Sequence, residues 1–97
     1  MKKHQCLCCG FKTLETRAGY DICPVCFWED DAYLDFSMEP IVGIYFDREP
    51  TVSELLDIPS CANHGMTLRN AQENYRLFGA CVKEMLPYVR KPRSSEK

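Results

Sequence analysis

Two CxxC pairs hold the residues of this chain best suited to chemistry: Cys6 with Cys9, and Cys23 with Cys26. Two residues between paired cysteines let a tight turn aim both sulfurs at one point, and the amides of the turn can donate to the thiolates. Glycine after the second cysteine, in Cys6-Leu7-Cys8-Cys9-Gly10, permits the positive φ that such a turn often needs. Two turns supply four sulfurs, which matches the tetrahedral preference of Zn²⁺ at about 2.3 Å per Zn–S bond. The spacing predicts one structural zinc ion per chain, held by Cys6, Cys9, Cys23 and Cys26. The 13 residues between the pairs, Gly10 to Ile22, are slightly fewer than the common spacing of about 15–20, yet a hairpin of that length still closes the site.

Other reactive side chains read more plainly. Cys8 is adjacent to Cys9 and points differently, so it is a bystander, free or able to substitute when a ligand is lost. Cys61 and Cys81 fit loop or core positions, where a small thiol behaves as an apolar residue. His4 reads as a solvated terminal histidine, and His64, in Asn63-His64-Gly65, as part of a loop or turn. The run Glu29-Asp30-Asp31 reads as solvated surface rather than an oxygen-ligated metal site, and Phe27 and Trp28 as core that shields the sulfurs. Cys8 or Cys61 near His64 is the only nucleophile–base pairing in sight, and nothing in the sequence fixes its geometry.

The elements that must position these groups follow from patterning. Phe11-Lys12-Thr13-Leu14 and Tyr20-Asp21-Ile22 alternate apolar and polar residues, as half-buried strands do, with the polar turn Glu15-Thr16-Arg17-Ala18-Gly19 between them. A β-hairpin is expected, with one cysteine pair before its first strand and the other after its second. Ile41 to Phe46 reads as a short buried strand. Thr51-Val52-Ser53-Glu54 carries a capping-box pattern, predicting a short helix over 52–58 that Pro59 ends. Leu68, Ala71, Tyr75, Phe78, Val82, Met85 and Leu86 recur at helical spacing, predicting one long helix over 67–86 with Thr67 as N-cap and Pro87 as stop. Its apolar stripe should pack on the sheet, and Gly79 within it points to close packing against another backbone.

Composition bounds the rest. Ninety-seven residues, 45% of them apolar, make one domain with a modest core, and domains of this size often add a metal or disulfides. Seven cysteines, at 6, 8, 9, 23, 26, 61 and 81, are an odd number, which argues against a complete disulfide framework. No secretory signal and no run of about 18 apolar residues is visible, so the expected compartment is the cytoplasm, where paired thiols stay reduced. The formal net charge is −2, and four thiolates with one Zn²⁺ would bring it to about −4. A chain this acidic is not an obvious binder of phosphate backbones.

The runs Cys6-Leu7-Cys8-Cys9-Gly10-Phe11-Lys12-Thr13-Leu14, Ile22-Cys23-Pro24-Val25-Cys26-Phe27-Trp28-Glu29-Asp30-Asp31 and Ala62 to Cys81 resemble the bacterial cysteine-rich CPCC family. Leu7 departs from it, standing where the family name calls for proline. The stretch 32–60 carries no such resemblance and reads as an elaboration of this member. The resemblance implies a small bacterial, zinc-ribbon-like domain in which the C-terminal helix belongs with the ribbon, and it implies no activity.

The fold class expected is α+β: a small zinc-ribbon-like hairpin with two CxxC knuckles, a short extra strand and helix, and a long C-terminal helix on the sheet. Residues 1–90 form the domain and 91–97 a flexible basic tail. The function this suggests is a small zinc-binding protein that recognises a protein partner and is not an enzyme, since four cysteines leave zinc no open position. One alternative is rubredoxin-like iron electron transfer. Phe27, where rubredoxin knuckles have glycine, weighs against it. The other is a nucleic-acid-binding ribbon, for which only scattered basic clusters speak: Lys2, Lys3, Lys12 and Arg17, and Arg90-Lys91-Pro92-Arg93.

Overall fold

A computed structural model describes residues 3–16, 19–31, 34 and 51–97. The strand expected over 41–46 lies outside the described residues. The remainder is a small α+β arrangement in which two knuckles form one end and helices pack over them.

Strand β1 (His4–Gln5) pairs antiparallel with β2 (Lys12–Leu14). His4 faces Leu14 and Gln5 faces Lys12, so the register skips Thr13, the extra residue of a bulge. A bulge breaks the two-residue alternation, and Thr13 and Leu14 are accordingly both buried. The hairpin therefore closes around the first knuckle, not between the two knuckles as the alternation suggested. The reason is local. Gly10 N–H donates to Cys6 O (2.9 Å) and Cys6 N–H to Phe11 O (2.9 Å), so the CxxC turn is itself the reversal that folds β2 back along β1. The second knuckle repeats the pattern with Phe27 N–H to Cys23 O (2.8 Å) and Cys23 N–H to Trp28 O (2.9 Å), and Ile22 bridges Glu29 in antiparallel fashion. Between the knuckles, Asp21 closes the turn by accepting from both Thr16 N–H and Thr16 Oγ1, each at 3.0 Å.

Helix α1 (Val52–Leu56) starts as its capping box predicts: Thr51 Oγ1 accepts from Glu54 N–H, and Glu54 reaches back to Thr51 N–H. Helix α2 (Leu68–Phe78) also begins at its predicted cap, with Thr67 Oγ1 accepting from Asn70 N–H. The bidentate pair of Arg69 with Asp57 ties α2 to the residue that ends α1.

The long helix over 67–86 is not present. α2 stops at Phe78 because Gly79 takes the left-handed conformation (φ +93°) and donates its N–H to Tyr75 O at 2.8 Å, the usual way glycine terminates a helix. A Cβ at Gly79 would come no closer than 4.0 Å to Leu86 Cδ2, so this glycine serves conformation, not close backbone packing. A separate 3₁₀ turn, Lys83–Tyr88, follows. The stripe is buried only at its start. Leu68 and Ala71 are buried and Tyr75 is half-buried, whereas Phe78 and Leu86 are exposed.

The core gathers Cys6, Cys8, Leu14, Cys23, Val25, Cys26, Trp28, Leu34, Leu55, Ile58, Leu68, Ala71 and Cys81. α2 covers the first knuckle through Tyr75, whose ring meets Phe11 edge-on at 6.4 Å. The last residues lie against β2, where a 3₁₀ turn over Ser94–Glu96 buries Glu96 beside Arg90.

Candidate metal centre

The two knuckles superimpose residue for residue on their bonding pattern. Cys6 corresponds to Cys23, Leu7 to Pro24, Cys8 to Val25, Cys9 to Cys26, Gly10 to Phe27 and Phe11 to Trp28. Gly10 has φ +81° and Phe27 has φ +71°. The second turn thus adopts the conformation that favours glycine with a phenylalanine in place. The Phe27 ring packs 5.9 Å from that of Tyr88, a contact that offsets part of the backbone cost.

These turns bring four sulfurs together. Cys6 Sγ lies 3.6 Å from Cys26 Sγ, and Cys9 Sγ lies 3.8 Å from Cys23 Sγ. All four lie within 4.8 Å of one another. Bond lengths of about 2.3 Å in a tetrahedron place sulfurs about 3.8 Å apart, so the set fits one divalent ion of zinc or iron size. All seven cysteines are free thiols. Cys6, Cys23 and Cys26 are buried and Cys9 is half-buried. Thr13 Oγ1 sits 2.9 Å from Cys23 Sγ, and Val25 N–H donates to the same sulfur at 3.4 Å.

The electrostatics of the set are those that a bound cation would relieve. Hydrogen bonds from Cys26, Cys6 and Cys9 draw the Cys23 thiol far below its ordinary range. The same contacts with Cys23 push Cys6, Cys9 and Cys26 far above theirs. Like charges this close disfavour one another in a buried site, and a metal ion among them would offset that repulsion. A bound Zn²⁺ would supply that balancing charge and a fixed tetrahedral geometry. Burial, followed by the charge of Cys9 and Cys26, pushes Tyr75 up to about 12.

Cys8 stands outside the four-sulfur group. Its counterpart in the other knuckle is Val25, and both are buried, so the two positions are equivalent apolar places. Cys81 is buried beyond the end of α2, not on it, and burial pushes its thiol up to about 12. Cys61 and His64 are exposed in one turn, where His64 takes φ +58° ahead of Gly65. His4 is half-buried in β1.

The acidic run departs from expectation. Asp30 and Asp31 are buried, and Glu29 is half-buried. Glu29 and Asp31 are held by a polar clamp that no local pattern announces. Asn63 Oδ1 accepts from Glu29 N–H at 2.9 Å, and its Nδ2 donates to Glu29 O at 2.8 Å and to Ser60 Oγ at 2.9 Å. Ser60 Oγ donates to Asp31 Oδ2 at 2.6 Å. Buried polar groups persist when so satisfied. Ser60 lies 29 residues from Asp31 and Asn63 lies 34 from Glu29, which leaves no local signal. Trp28 is fully buried as expected, with its Nε1 unpaired among the described residues.

The C-terminal half caps the knuckles. Leu7 O accepts from Gln72 Nε2 (2.9 Å), and Pro24 O, its counterpart, accepts from Arg90 N–H (3.1 Å). Cys26 O accepts from Cys81 N–H at 2.7 Å.

Two like knuckles converging four thiols on one point, under a helical cap, define a small cysteine-rich protein with a potential metal-binding centre. Residues 4–43 and 46–96 match the family described as cysteine-rich CPCC, and the chain belongs to that family. The match runs through most of 32–60, so that stretch is part of the family pattern and not an elaboration of this member. Neither the curated proteins nor the solved structures yield a match.

Proposed function

We propose that this chain is a small cytoplasmic zinc protein in which one structural zinc ion, held by Cys6, Cys9, Cys23 and Cys26, maintains a surface for a protein partner. The observation that carries this reading is the closed sulfur set, with all four atoms inside 4.8 Å. Four protein ligands leave a tetrahedral ion no open position for substrate. Reduced, paired thiols suit a cytoplasmic protein. The acidic run Glu29-Asp30-Asp31 is not that surface, because two of its three residues are buried.

Iron electron transfer is the second reading, and one observation favours it. Phe27 takes the left-handed conformation that a glycine would take, so its identity no longer weighs against a rubredoxin-like site. Tetrahedral sulfur suits either metal. Elemental analysis of purified protein separates the two. One zinc per chain in a colourless sample supports the first reading; one iron in a red, reducible sample replaces it; a folded sample without metal removes both.

A further inference from the structure

We propose that the groove between the C-terminal end of α2 and the segment 86–92 is the docking site for an acidic peptide segment carrying apolar anchors. This rests on the interaction-module reading and names the surface and the chemistry of its partner.

Four large apolar side chains of the last third are left in solvent: Leu77 at 57% exposure, Phe78 at 43%, Leu86 at 39% and Tyr88 at 68%. Three of them, Leu77, Phe78 and Leu86, line one concave groove of about 530 Å³. Such clustering at one place marks an interaction surface more than isolated exposed residues do. Every charged residue lining the groove is basic: Arg76, Arg90 and Lys91. Lys83 stands beside it, 5.7 Å over the Phe78 ring. Residues 76–97 hold six basic and two acidic residues in a chain whose net charge is −2, so a basic field surrounds an apolar floor.

That combination selects the occupant. A second copy would bring the same basic rim against itself. A lipid surface is broad and flat, whereas this site is concave. A nucleic acid would need a longer track of cations for successive phosphates, whereas Arg76 pairs with Glu73 and Arg90 with Glu96, which leaves Lys83 and Lys91 to meet an incoming anion. What fits is a short segment whose apolar side chains enter the groove and whose few carboxylates meet Lys91 and Lys83. A helix of about twelve residues, about 18 Å long, can present both sets on one side.

The groove is also coupled to the metal centre. Cys81 N–H on Cys26 O and Arg90 N–H on Pro24 O fasten both of its sides to the second knuckle. The metal-loaded chain should therefore bind, and the metal-free chain should not.

The test is selection from a displayed library of random peptides of about twelve residues on the full, metal-loaded chain, followed by anisotropy with a labelled winner. Expected are winners rich in Asp and Glu with Leu, Phe or Trp anchors. Their affinity should fall at least tenfold on Leu77→Asp and on chelation, weaken with added salt, and survive Leu77→Met. Leu77 is exposed, so Leu77→Asp should retain its metal, which is checked on the same sample. Several results overturn the proposal: no enrichment; neutral or basic winners; or binding indifferent to Leu77→Asp. Tighter Leu77-dependent binding of polyuridylate, or of phosphatidylglycerol–phosphatidylcholine vesicles, also overturns it. Winners that need the metal but ignore Leu77→Asp dismiss this groove and leave the interaction-module reading standing.

Discussion

Replacing Gly10 by alanine isolates what the knuckle conformation contributes to the metal site. Gly10 has φ +81°, and an added Cβ would lie 3.8 Å from Gln5 Nε2, an ordinary contact. The substitution therefore carries a backbone cost and no steric one. An L-residue in the left-handed region costs about 1–2 kcal/mol, and the stiffer unfolded chain returns about 0.4–1 kcal/mol. The net loss is about 1 kcal/mol. It cannot be relieved by rotating φ, because Gly10 N–H is engaged with Cys6 O at 2.9 Å. In small metal domains the free energies of folding and of binding are linked, and about 1.4 kcal/mol is a factor of ten. Gly10→Ala should therefore weaken metal affinity by about five- to tenfold, measured by competition against a chromophoric chelator at fixed pH. Unchanged affinity would show that the turn relaxes and that the conformation is not required. A loss of about a thousandfold or more would show a clash where the geometry has room. The second knuckle supplies the comparison: Phe27→Gly removes the same backbone cost and also the ring contact with Tyr88, so its effect on affinity should be smaller than that of removing the ring alone in Phe27→Ala.

Serine at Cys6, Cys9, Cys23 or Cys26 should abolish stoichiometric metal binding and the folded NMR spectrum, while Cys8→Val, which copies the opposite knuckle, should keep both; metal content by elemental analysis decides, and loss of metal in Cys8→Val would refute the ligand set. Asn63→Ala leaves the Glu29 amide and carbonyl without their partner, while Ser60 Oγ keeps Asp31, and at about 1–3 kcal/mol for a group left unpaired it should lower stability by about 2–4 kcal/mol in denaturant titration. Arg90, followed by the Arg93 N–H, holds the Glu96 carboxyl at about 2, below its ordinary value of 4.5. A depressed folded-state pKa contributes stability that is complete above the unfolded value and disappears as pH falls toward the folded one. The stability difference between wild type and Glu96→Gln, at equal metal occupancy, should thus stay flat between about pH 5 and 8, and a slope across that range would contradict it.

The parts of this fold written locally were legible in the sequence. Thr51 with Glu54 and Thr67 with Asn70 begin helices where their side chains require, and the two CxxC pairs with Gly10 indicate knuckles. What failed depended on choices between neighbours. Gly79 within an apolar periodicity can be tolerated or can end a helix, and only the left-handed turn with its bond to Tyr75 decides. The alternation at 11–14 indicates a strand but does not name its partner, and the knuckle's own reversal brings β1 rather than 20–22. Asp31 looks like surface until Ser60, itself held by Asn63, arrives from the other half of the chain. The equivalence of Cys8 and Val25 was open to reading all along, once the two turns were aligned.

The carbonyl oxygens at the tips of both turns are taken up by Gln72 and Arg90, and Cys26 O by Cys81. If the centre holds an ion, its escape from beneath this cover would be a gated event. The rate of isotope exchange at the centre would follow how often the last third swings away, set by local opening free energy, more than the strength of any one bond to sulfur. Kinetic retention of the ion would thereby be a property of residues that never touch it.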